Sequence, residues 1–156
     1  MKGMDFNMLV KNILGNINNF EIGTKDIDEV AIEWYEVDKR ILKKQSKKGI
    51  EVGIKLEQPY KLQDGDILFF DEKEILIVSI IPCDTISIIP ESMRDMGKIC
   101  YEIGNKHIPL FFYNNEVLVN YDEPLMRLLE KEGFKPEKTV RKLIDGLKQH
   151  SHSHEH

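Results

Sequence analysis

Five histidines occur in 156 residues, and four of them, His150, His152, His154 and His156, stand at alternate positions in the last seven, "HSHSHEH". Neutral imidazole nitrogen suits Ni²⁺, Cu²⁺, Zn²⁺ and Co²⁺, and several imidazoles on one polar segment can wrap an ion without a preformed cage. Ser151, Ser153 and Glu155 should keep this segment polar and unfolded. An appended purification handle is the competing origin for such an end. Handles are generally unbroken histidine runs, whereas this one is interrupted and leaves "LIDGLKQ" with no linker or protease site. The pattern favours a native metal-binding tail over residues 147–156.

The fifth histidine, His107, lies in "EIGNKHIPL", after a Gly-Asn helix stop and before Pro109. A lone histidine there commonly caps the last helical carbonyls or packs its ring edge. One imidazole cannot hold a divalent ion. A twofold axis beside His107 would supply a second, because an isologous interface brings the same residue from both subunits together.

Other chemistries find little support. The glycines are scattered and never combine with a Lys-Ser/Thr pair, so nucleotide binding is not expected. Carboxylate pairs such as Asp64 with Asp66, or Asp122 with Glu123, arise by chance among 27 acidic residues. Cys100 and His107 are seven positions apart, but Cys100 falls on an apolar helical stripe and no third residue orients the histidine. The chain is expected not to be an enzyme. Cys83 and Cys100 could form at most one bridge and are read as reduced thiols. A net charge of −5 argues against nucleic acid or anionic lipid as partner. No apolar run approaches the ~20 residues that cross a bilayer, and no secretory signal precedes the fold, so a cytoplasmic location is expected.

The elements that must position these histidines follow from the apolar pattern. With 41% hydrophobic residues the chain can bury one core or two small ones. Residues 1–82 read as a β-rich domain of antiparallel pairs, with strands expected at 30–37, 40–45, 49–56, 66–70 and 74–80; Ile50, Val52, Ile54 and Leu56 alternate with polar positions. Residues 83–146 read as a βαββαβ series. It comprises a strand at 85–89, then a helix opened by Glu91 or Ser92 with Met93, Met96, Cys100 and Ile103 inward. A hairpin of 108–113 and 116–120 turns at Asn114-Asn115, Asp122 caps a helix with Leu125, Leu128 and Leu129 inward, and a strand follows at 138–144. That order predicts a ferredoxin-like sandwich, α+β overall, with a face or helix edge free to pair with a second copy.

Three features together resemble the urease accessory protein E family: "CYEIGNKHIPL" at 100–110, similar to the family's Gly-Asn-Arg-His-x-x-Leu stretch; "YDEPLMRLLEKEGF" at 121–134; and the histidine-rich end. Lys106 stands where arginine is usual in that stretch. The resemblance implies a nickel metallochaperone of the cytosol, a β-rich N-terminal domain similar to chaperone peptide-binding domains, and a ferredoxin-like domain that dimerises. It implies that His107 and its symmetry mate bind Ni²⁺ at the dimer interface, that His150, His152, His154 and His156 add ligands or storage, and that metal can bridge dimers into a tetramer. It further implies delivery to the urease GTPase, the urease accessory complex and apo-urease. The stretch 120–124, "NYDEP", lacks the histidines that some relatives carry there, which argues against an auxiliary site. The alternative from another class is a peptide-binding assembly scaffold whose metal binding is incidental. Because imidazole binds metal only when neutral, nickel affinity is expected to fall as pH drops through about 6.5, the ordinary value for histidine.

Overall fold

The computed structural model describes residues 7–147, which divide into two compact units, the first ending at Ile81 and the second beginning at Pro82. Each is α+β or all-β in its own right.

The first unit contains β1 (Asn7–Val10), β2 (Asp26–Ile32), β3 (Ile41–Gln45), β4 (Glu51–Lys55), β5 (Ile67–Phe70) and β6 (Glu74–Ile80). They form two three-stranded sheets, ordered β1-β4-β3 and β2-β6-β5. One core joins them, with Val52 and Ile54 of β4 and Leu42 of β3 packed among Val30, Ile32, Val78 and Ile80 of the other sheet. The alternation in 49–56 is realised, since Val52 and Ile54 are buried while Glu51 and Lys55 are exposed. β6 is a continuous apolar run because both its faces are covered. Leu76, Val78 and Ile80 enter the first core, and Ile75 and Ile77 enter a second with Ile67, Ile17 and Phe20.

Two expectations need correction here. The pairing is not all antiparallel: β1 runs parallel to β4, and β2 parallel to β6, while β3–β4 and β5–β6 are antiparallel. Parallel neighbours need a crossover, usually a helix. Here the chain crosses between β2 and β6 through the strands of the facing sheet, so no helical signal marks it. Nor is 30–37 a single strand. β2 begins at Asp26 and stops at Ile32, and Trp34–Glu36 is a 3₁₀ turn. Glu36 causes the break. Its carboxylate accepts from the Glu33 N–H at 3.0 Å and from Lys44 Nζ at 2.8 Å to both oxygens. Burial alone would raise this carboxyl, but Lys44 and the Glu33 N–H hold it below its ordinary value.

The second unit is β7 (Cys83–Ile88), α1 (Met93–Asn105), β8 (Phe111–Tyr113), β9 (Glu116–Asn120), α2 (Glu123–Lys131) and β10 (Glu137–Arg141). The sheet order is β10-β7-β9-β8 and every pair is antiparallel, which is the expected βαββαβ sandwich. Ile99 and Ile103 of α1 and Leu125 and Leu129 of α2 pack on Ile86, Ile88, Val117 and Val119 of the sheet. Each such side chain contributes about 1.5–3 kcal/mol relative to exposure. The local signals act as read: Ser92 Oγ and Asp122 Oδ2 accept from the N–H groups of Asp95 and Leu125, both at 3.0 Å, and Asn114 takes φ 52 in the hairpin turn. Met93 does not face inward; it is 91% exposed at the first helical position, and Ile99 fills the stripe instead.

β10 is shorter than the expected 138–144. After Arg141 the chain leaves one edge of the sheet and reaches the opposite edge, where it pairs with β8: the Phe112 N–H donates to the Asp145 carbonyl at 2.9 Å, and the Leu147 N–H to the Leu110 carbonyl at 2.8 Å. Leu143, midway across, is buried. Arg141 donates to both oxygens of Glu116 and lies over the Tyr113 ring, and Ser87 Oγ donates to Glu116 as well. Arg141 first, then Ser87, holds the Glu116 carboxyl below its usual range. Among the described residues no helix is long and apolar enough to cross a membrane.

Candidate metal centre

α1 sets the position of His107. Its core side chains Ile99 and Ile103 fix the helix against the sheet, and its end fixes the backbone that follows. The His107 N–H donates to the Gly104 carbonyl at 3.0 Å and the Ile108 N–H to the Ile103 carbonyl at 3.3 Å. These two bonds make a Schellman stop, completed by apolar contact between Ile108 and the core that holds Ile103. The residue at the turning point must be left-handed, a place glycine usually fills. Here His107 fills it, with φ 58.

A non-glycine residue in that conformation costs about 1–2 kcal/mol, and such residues cluster at functional sites. The consequence is a rigid pedestal. His107 is exposed, at the end of a helix seated on the sheet.

The crossing segment brings Leu147 to the stretch that follows His107. Leu110 is three residues beyond His107, and its carbonyl is the acceptor for Leu147. His150 to His156 follow three to nine residues after Leu147. At roughly 3.3–3.6 Å per residue, Leu147 is rooted within about 10 Å of chain from His107, and an extended tail spans about 30 Å. Covalent geometry therefore lets tail imidazoles reach His107 of the same chain or of a copy beside it. His150, His152, His154 and His156 themselves lie outside the described residues. The tether, Asp145 to Leu147 with the buried Leu143, was not expected from the sequence; its only trace is Leu143 and Leu147 flanking Asp145-Gly146.

His107 alone cannot complete a coordination shell. Among the described residues, no three His, Cys, Asp or Glu side chains gather closely enough to hold a metal ion. Cys100 behaves as an apolar filler: it is half-buried, its Sγ lies 3.6 Å from Met96 Sδ, and burial pushes the thiol up, away from the thiolate form that binds metal. Cys83 is also a free thiol and accepts from Asn120 Nδ2 at 3.5 Å. A metal site at His107 would need further ligands from outside the described residues. The outer surface of α1 is open: Met93 and Tyr101 are 91% and 70% exposed, with Gly97 between them, where an added Cβ would meet nothing within 4 Å.

Comparison with known proteins decides the family. The model described as "UreE urease accessory protein, N-terminal domain" matches residues 10–80, and the one described as "UreE urease accessory protein, C-terminal domain" matches 83–156. The chain belongs to the UreE urease accessory protein family. Among curated relatives, the urease accessory protein UreE of Acetivibrio thermocellus is 44% identical over 153 residues, covering 96% of this chain and 100% of that protein. The Flavobacterium johnsoniae protein of that name is 40% identical over 151 residues, covering 94% and 92%. That of Helicobacter hepaticus is 43% identical over 136 residues, covering 84% and 78%. Membership gives the chain the part of an accessory protein in urease maturation, one that serves another enzyme's assembly.

Proposed function

We propose that the protein is a nickel metallochaperone: it binds Ni²⁺ between two copies through paired His107 rings, adds tail ligands from His150, His152, His154 and His156, and hands the ion to the urease assembly machinery. One observation carries this. The Leu147 N–H is bonded to the carbonyl of Leu110, three residues beyond His107, which supports a histidine-rich segment starting close to the lone histidine on its strained pedestal.

Physically the arrangement suits a carrier. Two imidazoles from a twofold pair are a weak open site, and each tail imidazole is a further ligand at high effective concentration. Such a shell can be dismantled one ligand at a time, which permits release to a receiving protein. The second unit is then the metal-binding and dimerisation domain, residues 83–146, followed by the tail 147–156, and residues 1–82 are left for protein contacts. The receiving partners are the urease GTPase and the accessory complex holding apo-urease, in the cytoplasm, and a shared ion can join two dimers. Ni²⁺ over Cu²⁺ is set by supply and geometry, since a nitrogen site by itself ranks Cu²⁺ above Ni²⁺.

The test is nickel stoichiometry on the full chain and on a truncate ending at Leu147. A carrier loses ions on truncation yet keeps one per two chains. If both proteins bind equally few ions, with no ion shared between chains, the peptide-binding scaffold replaces it.

A further inference from the structure

α1 carries three sulfurs on one stripe. Met93, Met96 and Cys100 stand at steps of three and four, so their side chains leave the helix on the same side. Core packing accounts for only two of them. Met96 and Cys100 lie half-buried against the second unit's core, whereas Met93 is exposed at the first helical position and free to turn. Cys100 is a free thiol, and its Sγ is 3.6 Å from Met96 Sδ. Gly97 falls on the same stripe, and the space where its Cβ would stand is open, so the surface beside the sulfurs is unobstructed.

One thiol and two thioethers are soft donors, and soft donors select Cu(I). At about 2.3 Å from metal to sulfur, three sulfurs around one ion stand roughly 4 Å apart, so the Cys100–Met96 pair at 3.6 Å is already near its bound spacing. Met93, unbranched and flexible, can close the third side. Charge points the same way. A thiolate with a monovalent cation is neutral, which a half-buried apolar position tolerates, whereas Ni²⁺ or Zn²⁺ would leave a net positive charge there. Burial pushes the Cys100 thiol up and keeps it protonated, so an ion that binds sulfur weakly does not open the site.

We propose that the first turns of α1 form a Cu(I) site, with Cys100 as the thiolate ligand and Met96 and Met93 as thioether ligands. Binding forms the Cys100 sulfur–copper bond and breaks the S–H bond, and the proton leaves to water; copper enters and stays as Cu(I), so no electron is transferred. The site is separate from His107, which follows Cys100 by about 10 Å of helix rise. Two of its ligands are methionines, so it stands apart from the His, Cys, Asp and Glu groupings that are absent among the described residues. It holds whether or not His107 binds nickel. A chain with both sites sorts ions by softness, reduced copper to sulfur and Ni²⁺ to imidazole.

The experiment uses the full chain, reduced and without oxygen, and draws Cu(I) from a coloured Cu(I) chelator whose absorbance reports the transfer. X-ray absorption at one copper per chain then gives the donor atoms, which separates sulfur from the imidazoles of the tail. The expected shell is dominated by sulfur at about 2.3 Å. Cys100→Ala and Met96→Leu should each weaken the tightest copper by about tenfold at the least, the loss that removing even an outer partner of a ligand brings. Met93→Leu should weaken it as well. That side chain is 91% exposed, so the variant's melting curve and nickel stoichiometry should not move, and its loss of copper cannot be laid to misfolding. A shell of nitrogen alone, or copper affinity unmoved by Cys100→Ala or by Met93→Leu, would overturn the proposal and leave the sulfurs as a packing contact.

Discussion

Replacing His107 by glycine should make the second unit more stable while removing the imidazole that the proposed metal site requires. The left-handed conformation at φ 58 costs an L-residue about 1–2 kcal/mol, whereas glycine adopts it freely. Glycine also frees the unfolded chain, by roughly 0.5–1 kcal/mol, which offsets part of the gain. The net expectation is about 0.5–1 kcal/mol of added stability. For a unit of some 75 residues that is a rise in Tm of about 2–8 °C. The assay is differential scanning calorimetry in metal-free buffer with EDTA, on wild type, His107→Gly, His107→Ala and His107→Val. Alanine, also an L-residue, should match histidine within about 0.5 kcal/mol, and β-branched valine should fall below both. If glycine melts at or below histidine, the backbone is not strained there, and a residue retained for chemistry at the expense of stability no longer explains the position.

Other outcomes follow from particular contacts. Lys44→Met should destabilise the first unit by about 2 kcal/mol in urea unfolding, because it strands the largely buried Glu36 carboxylate, which loses its main charged partner. Glu116 has a lowered pKa, so its contribution is present above the unfolded value and lost as pH falls through the lower folded value. Melting of the second unit should therefore weaken more steeply below about pH 4 in wild type than in Glu116→Gln, and parallel profiles would reject that ion pair as a stabiliser. Leu143→Ala should cost about 2–3 kcal/mol as a buried deletion and loosen the tether; if nickel stoichiometry of the full-length variant is unchanged after correction for folding, the tether does not position the tail.

Much of the second unit was legible because its signals are local. Ser92 and Asp122 are side-chain caps whose partners lie three residues away, Asn114 announces a positive φ, and the apolar steps of α2 are short-range periodicity. What failed was long-range or depended on which end of an element meets the core. Met93 had the right type and phase, but at the first position of α1 it stays exposed. Glu36 ended a strand-like run because its carboxylate turns inward to Lys44, eight residues on. The parallel partners β1–β4 and β2–β6 join residues more than 40 positions apart, and nothing in β1's four residues names their neighbour. For the metal centre, the sequence offered the ligand types and the helix stop. It gave no sign that His107 itself takes the left-handed place, or that Leu147 is tied to Leu110.

Isothermal titration of Ni²⁺ into the truncate ending at Leu147, with and without His107→Ala, combined with the mass of each species in solution, is the most direct measurement. One ion per two chains in the truncate, lost in His107→Ala, is the expected result. An alanine variant that keeps the tightest ion, or a truncate that binds its ion as single chains, would contradict a site shared between two copies of His107.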